Sequence, residues 1–302
     1  AASGGARLLY DGKDGPPMDP AWSPDGRLVS MVLDGEVAVA PSGGGDPATI
    51  TSGAGGTVTP GLAEFIAQEE MGRYLGYWWS PDSSLVAFME VDESGVETSS
   101  RATYGSTGDE VSTQRYPAAG KANARTRVGI ASSGGGETTW IDAGPGAEYV
   151  ARVAWLPDGS RLAVQVQPRD QGSLSRLLVD PATGKAATVL TDESETWVDL
   201  HDDLVFLEDG SGFLWPVNEG DARRIWLHDM TGRSVRPITG EGVLVSEIEC
   251  LDLPGGRLFY SADGNHGLER QLFAVGLGGG EASSVTTEPG WHEIEMAPGC
   301  GS

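Results

Sequence analysis

The 302-residue chain carries 44 acidic against 20 basic side chains, a net charge of −24, with 39% hydrophobic and 21% charged residues. That composition is ordinary for a globular protein and excludes collagen and wholesale disorder, and no apolar run reaches the roughly 18 residues that a membrane-spanning helix requires. The charge repels phosphate backbones and anionic headgroups, which argues against nucleic acid and membrane surfaces and favours a cationic partner.

Along the chain one phrase recurs: Ala21-Trp22-Ser23-Pro24-Asp25-Gly26, then Trp78-Trp79-Ser80-Pro81-Asp82-Ser83, then Ala154-Trp155-Leu156-Pro157-Asp158-Gly159. Degenerate copies follow at Val205 to Gly210 and Leu251 to Gly256. A short apolar run follows each, so each reads as strand, tight turn, strand. Trp22, Trp79, Trp155 and Trp291 share one repeat position and are expected to be core packing. A second hairpin recurs at Glu36–Thr51, Arg127–Asp142, Arg176–Thr191, Arg224–Thr239 and Gln271–Thr286, each closing on Thr or Asp. Its turn glycines at 43, 134, 184, 232 and 278 are separated by 91, 50, 48 and 46 residues. Two hairpins per repeat make a four-stranded blade, so the fold class is an all-β propeller. About five full blades are expected, as part of a seven- or eight-bladed propeller. Trp291 to Pro298 is expected to open a sixth.

The long first step locates two insertions. About 15 extra residues precede the second blade, and about 26 interrupt its middle, where a binding rim is expected. In the first, Leu62 to Met71 is helix-compatible, with Gly72 as its stop. Leu62, Phe65, Ile66 and Met71 would face the blades. Glu69 and Glu70 stand together near the helix C-terminus, where the helix dipole disfavours negative charge. The pair is either a solvated acidic face or a clamp for a cation such as a free α-ammonium.

These segments resemble the N-terminal propeller of the dipeptidyl peptidase IV family, in the prolyl oligopeptidase clan. The resemblance runs through Phe65-Ile66-Ala67-Gln68-Glu69-Glu70 to Trp78-Trp79-Ser80-Pro81, then Val91-Asp92-Glu93-Ser94, then Tyr116-Pro117-Ala118-Ala119-Gly120-Lys121-Ala122-Asn123. Trp197-Val198-Asp199-Leu200-His201-Asp202 and Gly290-Trp291-His292-Glu293 extend it, and the helix wording is closest to the cytosolic branch, dipeptidyl peptidases eight and nine.

The resemblance implies a substrate-recognition domain of a serine exopeptidase that removes Xaa-Pro or Xaa-Ala dipeptides, with Glu69 and Glu70 binding the substrate's α-ammonium. It implies as partners a peptide with a free N-terminus and Pro or Ala second, and an α/β-hydrolase domain of the same polypeptide. A homodimer of the full-length protein is also implied, through the second insertion at about Ser94 to Gly120. No Gly-x-Ser-x-Gly elbow occurs, so the catalytic domain is absent from residues 1–302, which read as one propeller domain cut at both ends and inactive alone. The alternative is a stand-alone, non-catalytic propeller serving as a binding or scaffold module.

Other candidates are weaker. His201, His228, His266 and His292 are scattered without metal-ligand spacing, and His201 beside Asp202 and Asp203 reads as structural. No cofactor is called for. Cys250 and Cys300 are too few for a disulfide framework, and Cys250 in its apolar stretch is expected to be a buried free thiol.

Overall fold

The computed structural model describes residues 8–13, 15–106, 108–264 and 267–300. His266 lies outside the described residues, as do residues 1–7 and 301–302 at the two ends named above as cut. The chain divides into two units, Ala1–Val198 and Asp199–Ser302.

The first unit holds three antiparallel blades and a separate two-stranded arm. Blade 1 is β1 (Met18–Trp22), β2 (Leu28–Leu33), β3 (Glu36–Pro41) and β4 (Ala48–Thr49), in that order. Blade 2 opens with β5 (Val58–Pro60), passes through α1 (Phe65–Glu70), and continues as β6 (Tyr77–Trp79) and β7 (Leu85–Asp92). A two-stranded arm, β8 (Thr98–Gly105) and β9 (Gly108–Arg115), precedes β10 (Arg125–Ser132) and β11 (Thr139–Trp140). Blade 3 is β12 (Tyr149–Trp155), β13 (Leu162–Gln167), β14 (Ser173–Val179) and β15 (Ala186–Glu193).

The second unit holds blade 4, of β16 (Val205–Phe206), β17 (Gly212–Glu219), β18 (Ala222–Asp229) and β19 (Ser234–Pro237). Blade 5 is β20 (Leu244–Asp252), β21 (Arg257–Gly264), β22 (Glu269–Gly276) and β23 (Ser283–Ser284), and one parallel pairing, Arg223 with Leu244, joins the two. The five expected four-stranded blades are therefore all present.

The recurrent residues explain the recurrent geometry. In blade 2, Ser80 Oγ donates to Asp82 Oδ1 (2.6 Å) and accepts from the Leu85 N–H (2.9 Å), closing the Ser-Pro-Asp turn. Ser23 and Asp25 do the same in blade 1. The Ser80 hydroxyl and then the Ser84 N–H hold the Asp82 carboxyl below its usual range. The closing threonines serve the second hairpin. Thr51, Thr239 and Thr286 accept the N–H of Val37, Ile225 and Leu272 through their hydroxyls, so each fastens the third strand to the chain leaving the fourth.

Apolar faces pack between neighbouring blades. Val32, Val37 and Val39 meet Val86 and Phe88, and Met89, Val128 and Ile130 meet Val153, Leu162 and Val164. In the second unit, Leu214 and Ile225 meet Leu258 and Tyr260.

Three expectations are corrected. Trp79 and Trp155 are half-buried, donating their indole N–H groups to Ser30 Oγ and the Trp78 carbonyl of the preceding blade, but Trp22 is 65% exposed and Trp291 52%. The indole packs on the blade before it, and among the described residues no blade precedes blade 1. Trp291 instead lies against the Arg270 guanidinium at 4.1 Å.

No strand of a sixth blade is present among the described residues. Residues 292–297 are in no strand, and the segment returns to blade 5, where Ile294 and Met296 cover Phe259 and Leu272. The thiols are not free either. Cys250 on β20 is disulfide-bonded to Cys300 in the 3-10 turn Pro298–Cys300, fastening that returning segment to the blade.

Candidate functional site

The first insertion lies inside a strand of blade 2 and not before it. β5 and β6 both pair with β7, β5 opposite Glu90–Asp92 and β6 opposite Val86–Phe88, so together they form one strand interrupted by residues 61–76. Met89, between those stretches, closes the interruption. Its carbonyl accepts the Gly61 N–H (2.7 Å) and its N–H donates to the Gly76 carbonyl (2.8 Å). The insertion thus leaves and re-enters the sheet at a single register position.

Two glycines make that neck possible. Gly61 has φ 84°, in the left-handed region. At Gly76 a Cβ would fall 2.4 Å from the Gly61 carbonyl oxygen, so no side chain fits. A bridge between Leu62 and Leu75 adds the next rung.

That rung shortens the helix. Leu62 to Glu64 belong to the neck, and Glu64 is extended (ψ 165°), so α1 begins at Phe65 and has six residues in place of the expected ten. Ala67 and Met71 are buried while Leu62, Phe65 and Ile66 are half-buried, which is the anticipated apolar face turned slightly. Gly72 (φ 62°) stops the helix as expected, and the Arg73 N–H closes the turn on the Ala67 carbonyl at 2.9 Å.

Inside the loop lies an ion pair that the sequence reading missed. Arg73 Nη2 donates to Glu64 Oε2 at 2.8 Å, and the two side chains are only 5% and 4% exposed. Arg73 also donates from Nη1 to the Leu75 carbonyl (2.8 Å) and from Nε to the Val150 carbonyl of blade 3 (3.1 Å). Glu64 does not cap the helix. A carboxylate just before the helix and a guanidinium nine residues later was the available signal.

Glu69 and Glu70 occupy the last turn of α1 and are both exposed. Among the described residues neither has a hydrogen-bond or ion-pair partner. The basic group nearest in sequence, Arg73, is committed to Glu64. Two negative charges at the unfavourable end of a helix, with no cation beside them, attract one from outside.

The second insertion behaves differently. Every described residue of the arm from Thr98 to Gln114 is exposed, including Tyr104 (80%) and Val111 (69%). Its root is stitched down. Tyr116 meets Phe65 of α1 edge to face at 5.1 Å, and Asn123 Nδ2 donates to Glu148 Oε1 and the Tyr149 hydroxyl at 2.8 and 2.9 Å. Arg169 donates to the same Glu148 oxygen (3.1 Å) and to the Lys121 carbonyl.

Elsewhere, His201 stacks on Trp215 at 3.9 Å and faces Asp203 at 3.1 Å, where Arg223 also donates. Burial would raise the Asp203 carboxyl, but the His201 and Ile248 hydrogen bonds and the Arg223 charge together hold it low.

The family model for the dipeptidyl peptidase IV N-terminal region matches residues 5–301. The chain belongs to that family. Within the dipeptidyl peptidase IV family, similar curated proteins include a probable dipeptidyl peptidase 4 of Aspergillus fumigatus, 25% identical over 272 residues, which cover 84% of this chain and 35% of that protein. The inactive dipeptidyl peptidase 10 of Mus musculus is 23% identical over 277 residues, covering 86% and 35%. The chain therefore spans about a third of the length of these relatives. Among solved structures, the dipeptidyl peptidase 4 of Porphyromonas gingivalis superposes with a TM-score of 0.83 at 26% identity, over 92% of this chain and 40% of that one. A putative dipeptidyl aminopeptidase IV of Bacteroides ovatus, at 22% identity and a TM-score of 0.76, shares the fold. The propeller architecture expected from the repeats is that of these neighbours.

Proposed function

We propose that residues 1–302 are the substrate-recognition propeller of a serine exopeptidase of dipeptidyl peptidase IV type, in which Glu69 and Glu70 clamp the substrate's α-ammonium. The observation that carries this reading is an exposed, unpartnered carboxylate pair on a firmly mounted helix, in a chain of that family.

Chemically, an ammonium has three donors and a pKa of about 7.7–8, so it is mostly charged at neutral pH and can reach both carboxylates at once. Holding it at one point makes the enzyme count from the free end. The second residue, Pro or Ala, then enters the specificity pocket and the scissile carbonyl reaches the serine. Pocket and serine belong, in this reading, to an α/β-hydrolase domain of the same polypeptide. The exposed arm would supply contacts for a homodimer, and sedimentation of the full-length protein as a monomer would count against that part.

The test uses the full-length protein and a free-amino Ala-Pro substrate. Glu69→Ala or Glu70→Ala is expected to cost about 2–4 kcal/mol in kcat/KM, as when one partner of a desolvated charge pair is truncated. The N-acetylated substrate should resist cleavage. Unchanged activity in both variants, or rapid cleavage of the acetylated peptide, would defeat the clamp.

A second reading, a non-catalytic binding module, draws support from the mouse relative named as inactive. It predicts binding of free-amino peptides with no release of dipeptides by the full-length protein.

A further inference from the structure

Arg73 makes four ties around the helix bearing Glu69 and Glu70. Its backbone N–H spans the pair by bonding to the Ala67 carbonyl (2.9 Å). Its guanidinium closes a wider ring to Glu64, at the other end of the helix, and a short one to the Leu75 carbonyl in the neck. The fourth tie, to the Val150 carbonyl on β12, is the one that leaves the loop, and it fixes the helix to blade 3.

The arrangement exceeds what folding the loop demands. A buried ion pair is weak evidence for stability, because desolvating both charges offsets most of their attraction. Apolar residues of similar volume at 64 and 73 would fill the same space. What they could not do is donate in three directions from one rigid, planar group. Glu64 has a second consequence: it neutralises the guanidinium lying only three and four residues from the exposed carboxylates. With that charge spent inside the loop, Glu69 and Glu70 stay available to a cation from outside.

From this we infer that Arg73, held by Glu64, is a positioning residue that sets the place of the Glu69 and Glu70 carboxylates relative to blade 3, and so the strength with which a free amino terminus is held. The inference rests on the clamp reading above. Arg73 itself is buried and meets no substrate. Its contribution is pre-organisation: a carboxylate pair free to drift would have to be ordered by each substrate at the expense of affinity.

The experiment is a double-mutant cycle in the full-length protein with a free-amino Ala-Pro anilide. Arg73→Met is expected to raise KM about tenfold or more while kcat changes less than about threefold, the signature of lost ground-state binding. In a Glu69→Gln/Glu70→Gln background the same substitution should change KM less than about twofold, because residues acting through one another are not additive. Glu64→Leu/Arg73→Met, which removes both buried charges, should regain the Tm of the starting protein yet keep the raised KM.

An unchanged KM in Arg73→Met, an equal rise in both backgrounds, or recovery of KM together with Tm in the apolar pair would each overturn the positioning role while leaving the clamp standing. Failure of the clamp reads out separately, as an unchanged KM in Glu69→Gln/Glu70→Gln alone. Should Arg73→Met not fold, Arg73→Lys keeps the buried charge opposite Glu64 but cannot fork to the Leu75 and Val150 carbonyls. A raised KM in that variant supports the inference, and an unchanged one overturns it.

Discussion

Blade 2 carries two insertions that are opposites in physical design. Residues 61–76 leave a strand through a neck of two touching glycines, bury Ala67 and Met71, pair Glu64 with Arg73 inside, and expose two carboxylates. Residues 98–115 form a hairpin whose strands are solvated on both faces. An isolated two-stranded hairpin is marginal by itself, and this one is secured at its root, by Tyr116 against Phe65 and Asn123 against Glu148 and Tyr149. Extra length on a repeat scaffold therefore says where function can collect but not whether the added chain is rigid. Rigidity comes from what the insert can bury.

The comparison can be broken most forcefully at Arg73. Arg73→Ala strands the Glu64 carboxylate in the interior and is expected to destabilise the first unit by about 3–5 kcal/mol, read by urea denaturation; a loss below about 1 kcal/mol would mean the insertion is no more rigid than the arm. Gly76→Ala comes next. Its Cβ would press on the Gly61 backbone, and an expected cost of about 1–3 kcal/mol follows from forcing the neck apart.

A smaller effect distinguishes the two insertions without mutation. Limited trypsin digestion should cut in the arm, at Arg101, while the Arg73 bond stays intact, because cleavage needs locally open backbone. Early cleavage after Arg73 would reverse the contrast. Smallest of all, replacing residues 98–115 by a two-residue turn should change folding stability by less than about 0.5 kcal/mol, the range of surface changes. If the arm supplies dimer contacts, the same deletion should yield a monomer in sedimentation.

Much of this was legible in the residues. Ser-Pro-Asp turns and closing threonines recur because each blade needs the same two local hydrogen-bonded corners, and a repeat is visible to any reader of the chain. The helix near Glu69 and Glu70 was legible too, from its apolar spacing and Gly72. Its true start was not, because Leu62 pairs with Leu75 thirteen residues away and Glu64 reaches for Arg73. Trp22 misled for a related reason: a repeat position predicts burial only where a preceding blade lies against it, and among the described residues none precedes blade 1. Cys250 and Cys300 misled because two cysteines 50 residues apart show no pattern until the chain folds back.

The sequence by itself determined the four-stranded blade, its turns and which repeat carries the extra chain, since all of these follow from short-range periodicity and from glycine, proline and β-branched side chains acting on their own neighbours. Only the tertiary structure decided that the first insertion splits a strand at Met89, that Arg73 is shared between Glu64 and the carbonyl of Val150, and that the last segment returns to blade 5 under a disulfide. Each of these is a contact between residues distant in the chain, and such contacts depend on how whole sheets pack, which no local pattern records.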